Sequence, residues 1–96
     1  MKPSEALHIH RDFIRKTVEL HHACNGRVFG SVALGIDRDG SDLDLLVDTL
    51  PGTTLFDLGG LQVELEEHLG TPIDVLTPGD LPAKFRDQVL AEAVPI

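Results

Sequence analysis

The sequence predicts an α/β domain in which a small sheet is covered by helices. Two observations carry this expectation. Short runs bounded by turn residues alternate apolar and polar side chains, whereas longer runs repeat apolar residues at three, four and seven. The two kinds of segment also follow one another along the chain as α, β, a short α, β, α, β, α. A length of 96 residues suits a single domain spanning 1–96, since a chain of this size buries well over half of its unfolded surface.

The first helix is expected from Ser4 to about Ala23. Ile9, Phe13, Leu20 and the pair Ile14/Val18 form its apolar row, Ser4 is a candidate N-cap, and Asn25-Gly26 supplies the stop. Arg27 to Ser31 reads as a short strand, and Val32 to Ser41 as one helical turn followed by a loop. Ser41 to Asp48 alternates cleanly, with Leu43, Leu45 and Val47 on one face and Asp42, Asp44, Leu46 and Asp48 on the other. Leu50-Pro51-Gly52 breaks that strand. Thr54 with Asp57 resembles a capping box that opens a helix with the stripe Leu55, Leu58, Leu61, Leu65 and Leu69. Gly59-Gly60 weakens this helix near its start, and Gly70 lies just past its end. Pro72 to Leu76 is a third strand with Asp74 at its centre. Asp80 is expected to cap a last helix with Pro82 in its first turn and Leu81, Phe85 and Val89 as its buried row.

Composition narrows the function. Hydrophobic residues at 42% and charged residues at 25% are ordinary for a soluble globular chain. No apolar run approaches the roughly 20 residues that span a bilayer, and MKPSEALHIHRDFIRK lacks the apolar core of a signal peptide. The one cysteine, Cys24, has no intramolecular partner, which favours a reducing cytoplasm; it is expected as a buried packing residue near a helix end. Sixteen acids against eight bases give a formal charge of −8. Such a surface repels nucleic-acid backbones and suits a basic protein or a metal-bridged nucleotide. Without Trp or Tyr, and with four Phe, there is little with which to stack bases.

The acids on the middle strand carry the functional signal. Strand residues two apart point the same way at roughly 6.5 Å, so Asp42 and Asp44 repel one another, and burial sharpens the repulsion. A D-x-D on a strand is commonly a solvated edge. Here, however, Gly30-Ser31 precedes it by ten residues, at a turn whose free amides suit phosphate. Mg²⁺ takes carboxylate oxygens and leaves positions open for phosphate and water. Asp74 completes the set if its strand lies alongside, and such a cluster can activate a hydroxyl and neutralise a leaving phosphate.

The run Gly30-Ser31-Val32-Ala33-Leu34-Gly35, five residues, then Ser41-Asp42-Leu43-Asp44-Leu45-Leu46-Val47 resembles the signature of the DNA-polymerase-β-type nucleotidyltransferases. That signature reads Gly-Ser-x-Ala-Arg-Gly, a short gap, then Ser-Asp-x-Asp-Leu-x-Val. The chain is most similar to the minimal nucleotidyltransferases, small chains that are often antitoxins of HEPN-domain ribonuclease toxins. Ile73-Asp74-Val75 is similar to their third-acid strand, and the similarity extends from Val28 to the final helix. The resemblance implies a palm-like fold, a small mixed sheet flanked by helices. It implies that Gly30 and Ser31 contact the nucleotide, and that Asp42, Asp44 and Asp74 bind one or two Mg²⁺ ions. Asp74 would help to activate the acceptor. The implied reaction moves AMP from ATP to a tyrosine hydroxyl of a HEPN toxin and releases pyrophosphate.

Leu34 departs from the pattern, because the family has Arg there. A leucine neither holds phosphate nor braces the loop through hydrogen bonds, and Arg38 is the candidate substitute. Two alternatives therefore stand beside the transferase of a toxin: a catalytically weak or silent module that neutralises the toxin by covering it, and a transferase acting on a small molecule. Other patterns are set aside. Asp37 to Asp48 fails as an EF-hand, because its sixth and twelfth positions hold Asp42 and Asp48 instead of Gly and Glu. His8, His10, His21 and His22 lack the spacing of a chelate on one helix face and are expected to be solvated. Lys84 and Arg86 are expected to mark the wet face of the last helix.

Overall fold

The computed structural model describes all of residues 1–96. In chain order the elements are α1 (Pro3–Ile9), α2 (Arg11–Leu20), β1 (Ala23–Phe29), α3 (Gly30–Leu34), β2 (Leu43–Thr49), α4 (Leu55–Leu69), β3 (Ile73–Leu76), a 3₁₀ turn (Pro78–Asp80), α5 (Ala83–Glu92) and β4 (Val94–Pro95). The four strands form one mixed sheet in the order β3-β2-β1-β4. β2 and β3 are parallel, as a strand–helix–strand crossover through α4 requires. β1 runs antiparallel to both β2 and β4.

The alternation along β2 decides which face is which. Leu43, Leu45 and Val47 are fully buried and join Val28 and Ile73 from the flanking strands. Leu7, Ile14 and Val18 from α1 and α2, and Leu61 and Leu65 from α4, close over them to form the core. The second face carries the acids. Leu46 lies on that face as expected and is itself fully buried, between the half-buried acids Asp44 and Asp48.

Both sheet edges are blunted. The Ile73 and Val75 N–H groups on the outer side of β3 donate to Glu66 Oε2 (3.2 Å) and Gln62 Oε1 (3.3 Å) of α4. A side chain therefore takes the place of another strand. At the opposite edge β4 is two residues long and contains Pro95, which has no N–H to offer.

Several expectations are corrected. The first helix is two helices, because His10 leaves the helical region (φ −107°, ψ 20°) and its ring packs edge-on against His68. Ser4 does not cap α1; the N-cap is Lys2, without a side-chain bond, and the Ser4 N–H is taken by Asp37. Chain reversal comes at His22 (φ 59°), so Asn25-Gly26 falls inside β1, where the register with β2 shifts between Cys24 and Arg27. β1 consequently starts at Ala23, and Gly30 and Ser31 begin α3 instead of ending the strand. Cys24 is half-buried on that strand.

Ile9, Leu20 and Leu55 are exposed, at 60%, 73% and 86%, so none of them belongs to its proposed core row. Asp80 closes the 3₁₀ turn with Thr77 instead of capping the last helix, whose N-cap is Pro82. Of that helix's proposed buried row only Leu81 is buried. His21 and His22 are paired, with Glu64 (2.5 Å) and Asp57 (3.3 Å), and tie the end of α2 to α4. The capping box of Thr54 and Asp57, the Gly70 stop and β3 stand where the sequence puts them, and the expected single helical turn is present but begins two residues early, at Gly30 instead of Val32.

Candidate active site

The open end of the second sheet face is built by register. Asp44 on β2 stands directly across from Asp74 on the parallel neighbour β3 and from Phe29 on the antiparallel neighbour β1. Facing positions on adjacent strands lie roughly 5 Å apart and point to the same side, so the two carboxyls share one patch. Asp42 lies two residues before Asp44, just ahead of β2, and is exposed, as is Asp74; Asp44 is half-buried between them. The three acids singled out in the sequence therefore come to one end of the sheet. Their side chains do not close onto a common point, for no three His, Cys, Asp or Glu groups stand at metal-ligand spacing.

Gly30 completes the patch. β1 ends at Phe29 in extended backbone, and Gly30 turns the chain into α3 with φ +67°. A Cβ at this position would overlap Asp44 Oδ2. The bare glycine Cα is thus the surface against which the Asp44 carboxyl lies, and the left-handed backbone demands glycine independently. Ser31 follows at half-burial, and its carbonyl accepts the Ile36 N–H (3.0 Å), which folds the start of the next loop back onto α3.

The electrostatics of the patch are unfavourable without a cation. Burial pushes the Asp44 carboxyl up to about 6, with the charges of Asp74 and Asp42 adding to it. Like charges at this spacing resist a second and a third ionisation. A divalent cation with oxygen preference suits such a donor set, because it removes the repulsion while leaving room for phosphate oxygens. Asp48, two strand pairs farther along the same face, is different. Asn25 Nδ2 (2.8 Å) and Arg27 Nη1 (3.1 Å) donate to its carboxylate and hold it below the usual carboxylate range. That acid is satisfied and structural.

Two residues near the patch escaped sequence reasoning. Arg86, expected on the wet face of α5, donates from Nε to the Pro78 carbonyl (2.8 Å) and from Nη2 to the Leu81 carbonyl (2.9 Å). It clamps the segment that follows the Asp74 strand. Asp37, in the loop between Gly30-Ser31 and Asp42, is 8% exposed and accepts the Ser4 N–H at 2.8 Å. Neither had a local signal, since each partner is supplied by how the chain folds back. Leu34 is 55% exposed at the end of α3, and Arg38 is exposed in the loop beyond it.

The surface at the acids is open. The two depressions in the molecule lie elsewhere: one beside Arg15, Cys24 and Ile96, the other beside Phe13, Glu64, Glu67 and His68.

Comparison with known proteins matches this arrangement. The sequence profile of the family described as "Nucleotidyltransferase domain" matches residues 25–96. A chain of Methanocaldococcus jannaschii named as a protein adenylyltransferase is 40% identical over 76 residues, covering 79% of this chain and 82% of that one. A solved structure named as a minimal nucleotidyltransferase superposes with a TM-score of 0.86 at 42% identity, covering 97% of this chain and 95% of the other. A crystal structure of a toxin–antitoxin with AMP-PNP shares the fold, with a TM-score of 0.74 at 19% identity over 88% of this chain and 69% of that one.

Proposed function

This chain belongs to the nucleotidyltransferase family in its minimal form, and from that premise we propose that residues 1–96 act as one transferase domain that moves AMP from ATP to a hydroxyl of a protein partner. The partner in this reading is a HEPN-type ribonuclease toxin, the acceptor is one of its tyrosines, and the chain is its antitoxin. The observation that carries the reading is the register of Asp44 with Asp74, together with the glycine that makes space for the Asp44 carboxyl.

Asp42, Asp44 and Asp74 are the residues that would hold one or two Mg²⁺ ions. When bound there, the ion would neutralise triphosphate charge and lower the pKa of an acceptor hydroxyl. Gly30 and Ser31 meet the triphosphate at the turn between β1 and α3, next to the acids. The acceptor oxygen attacks the α-phosphorus, the bond to the bridging oxygen breaks, and pyrophosphate leaves with the electron pair. Asp74, the exposed acid of the facing pair, takes the acceptor proton.

Two features favour a protein acceptor over a small molecule. Small ligands are usually enclosed in concave pockets, and both depressions of this surface lie away from the acids. The formal charge of −8 suits a basic protein surface and opposes an RNA end. The M. jannaschii relative is itself named for adenylylation of protein, and toxin–antitoxin structures share this fold. A second reading, a silent module that neutralises by covering, is favoured by Leu34, where the family has Arg.

Labelled ATP with Mg²⁺, incubated with this chain and a purified HEPN partner, separates the readings. Label on the partner that disappears with Asp42→Asn supports the transferase. Tight association without label supports the covering module, and label on a small acceptor in the absence of any HEPN protein supports the third class.

A further inference from the structure

The buried carboxylate of Asp37 has no part in the chemistry above, yet it sits in the loop that joins the two halves of the proposed site. That loop leaves α3 at Gly35 and reaches Asp42 at Ser41. It carries no regular secondary structure and is held by a few bonds. The Ile36 N–H donates to the Ser31 carbonyl, the Arg38 N–H to Ser41 Oγ (2.9 Å), and the Ser41 N–H to the Arg38 carbonyl (3.0 Å). Between these, Asp37 turns inward to 8% exposure and accepts the Ser4 N–H across 33 residues of sequence.

The other end of that bond is the first turn of α1. This helix lacks a side-chain cap of its own, and its Pro3 and Ala6 are buried. The first amides of a helix have no partner within it, and a carboxylate at that position is favoured by both hydrogen bonding and the helix dipole. Asp37 supplies the missing cap from a distant loop. Burial works against its ionisation, but the Ser4 backbone and hydroxyl, its own backbone amide and the charge of Lys2 outweigh burial and hold the carboxyl below its usual range. The matched family region begins at residue 25, so the bond ties a helix outside that region to a loop inside it.

We propose that Asp37 is a positioning residue: by capping α1 it anchors the 35–41 loop and so holds Asp42, the acid just ahead of β2, in place beside Asp44, whose own position against Gly30 is set by the β1–β2 pairing. The proposal rests on the nucleotide-binding reading for its consequence, but the anchoring itself does not. Without the anchor the loop keeps its internal turn, the Ile36–Ser31 bond and the exposed Met1–Asp39 ion pair (3.1 Å), and the position of Asp42 becomes variable. Misplacement of this kind weakens binding and chemistry without removing any contacting group.

Hydrogen exchange read by NMR, with Mg²⁺·ATP binding measured by calorimetry, tests it on the full chain. Asp37→Ala is expected to speed exchange of the Arg38 and Ser41 amides by about tenfold, the scale of a lost cap, and to weaken Mg²⁺·ATP binding about fivefold or more. Asp37→Asn keeps an acceptor oxygen and is expected to stay within about threefold on both. Ala6→Gly loosens α1 without touching the loop and is expected to speed the same two amides; it also keeps the test alive if Asp37→Ala does not fold. Faster exchange confined to residues 4–8, with Arg38 and Ser41 unchanged, overturns the proposal and leaves Asp37 a simple cap. Wild-type protein that fails to bind Mg²⁺·ATP overturns the nucleotidyltransferase reading instead, while the exchange comparison still decides the anchor.

Discussion

At Asp44, burial and two neighbouring carboxylates oppose ionisation and raise its pKa to about 6 from the 3.8 of a free side chain. The folded state then binds this proton more tightly than the unfolded chain does between those values. Stability from the group is greatest below the lower value and falls as pH rises through the upper one. Asp44→Asn is therefore expected to raise stability at about pH 7.5 by roughly 1 kcal/mol, after discounting for solvent screening at a half-buried site, and to give no gain near pH 4. Mg²⁺ should raise the Tm of the wild type and not of this variant; a variant less stable than wild type at neutral pH would show that no such repulsion exists. Gly30 is the complementary case. Gly30→Ala faces both φ +67° and the Asp44 carboxyl, so a loss of about 1–3 kcal/mol is expected, together with loss of the Mg²⁺-dependent thermal shift.

Among the elements, α4 shows how local rules and tertiary contacts divide the outcome. Its capping box and Gly70 stop follow from sequence pattern alone, and the helix runs without a break through Gly59-Gly60. The two glycines differ only in what surrounds them. Open space lies where a Cβ would stand at Gly59, whereas at Gly60 it would come within 3.2 Å of the His21 ring. Gly59→Ala is expected to stabilise by about 0.5–1 kcal/mol. Gly60→Ala should gain less or nothing, because the His21–Glu64 pair must shift. Urea denaturation of both variants checks this, and equal gains would mean that the His21 ring yields freely. In the same way Arg86 is legible as a charged residue beside Phe85, but its hold on the Pro78 and Leu81 carbonyls depends on where the 3₁₀ turn comes to rest.

Over the whole molecule, the sheet separates two functions by face. One face is sealed by α1, α2 and α4 around Leu43, Leu45 and Val47. The other leaves Asp42, Asp44 and Asp74 at an open end, with no depression around them. A net charge of −8 on so small a body favours long-range attraction to a basic partner. Association with the proposed HEPN toxin should therefore slow by about tenfold or more between low and high salt while dissociation changes little. Stopped-flow binding at several ionic strengths checks this, and an association rate indifferent to salt would remove charge from the account of partner choice.

The sequence by itself determined the α/β class and the acid-bearing strand and pointed to Asp42, Asp44 and Asp74, because strand alternation, capping boxes and glycine turns are written over a few consecutive residues. It missed the break at His10, the bulge in β1, the β4 edge, and the partners of Asp37 and Arg86. Only the tertiary structure decided which strands are neighbours, and with that the meeting of Asp44 and Asp74 and the fit of Gly30 against a carboxyl. The physical reason is range. Backbone preferences act within a turn or a strand, whereas packing joins residues such as Gly30 with Asp44, Asp44 with Asp74 and Ser4 with Asp37 through contacts that no local pattern encodes.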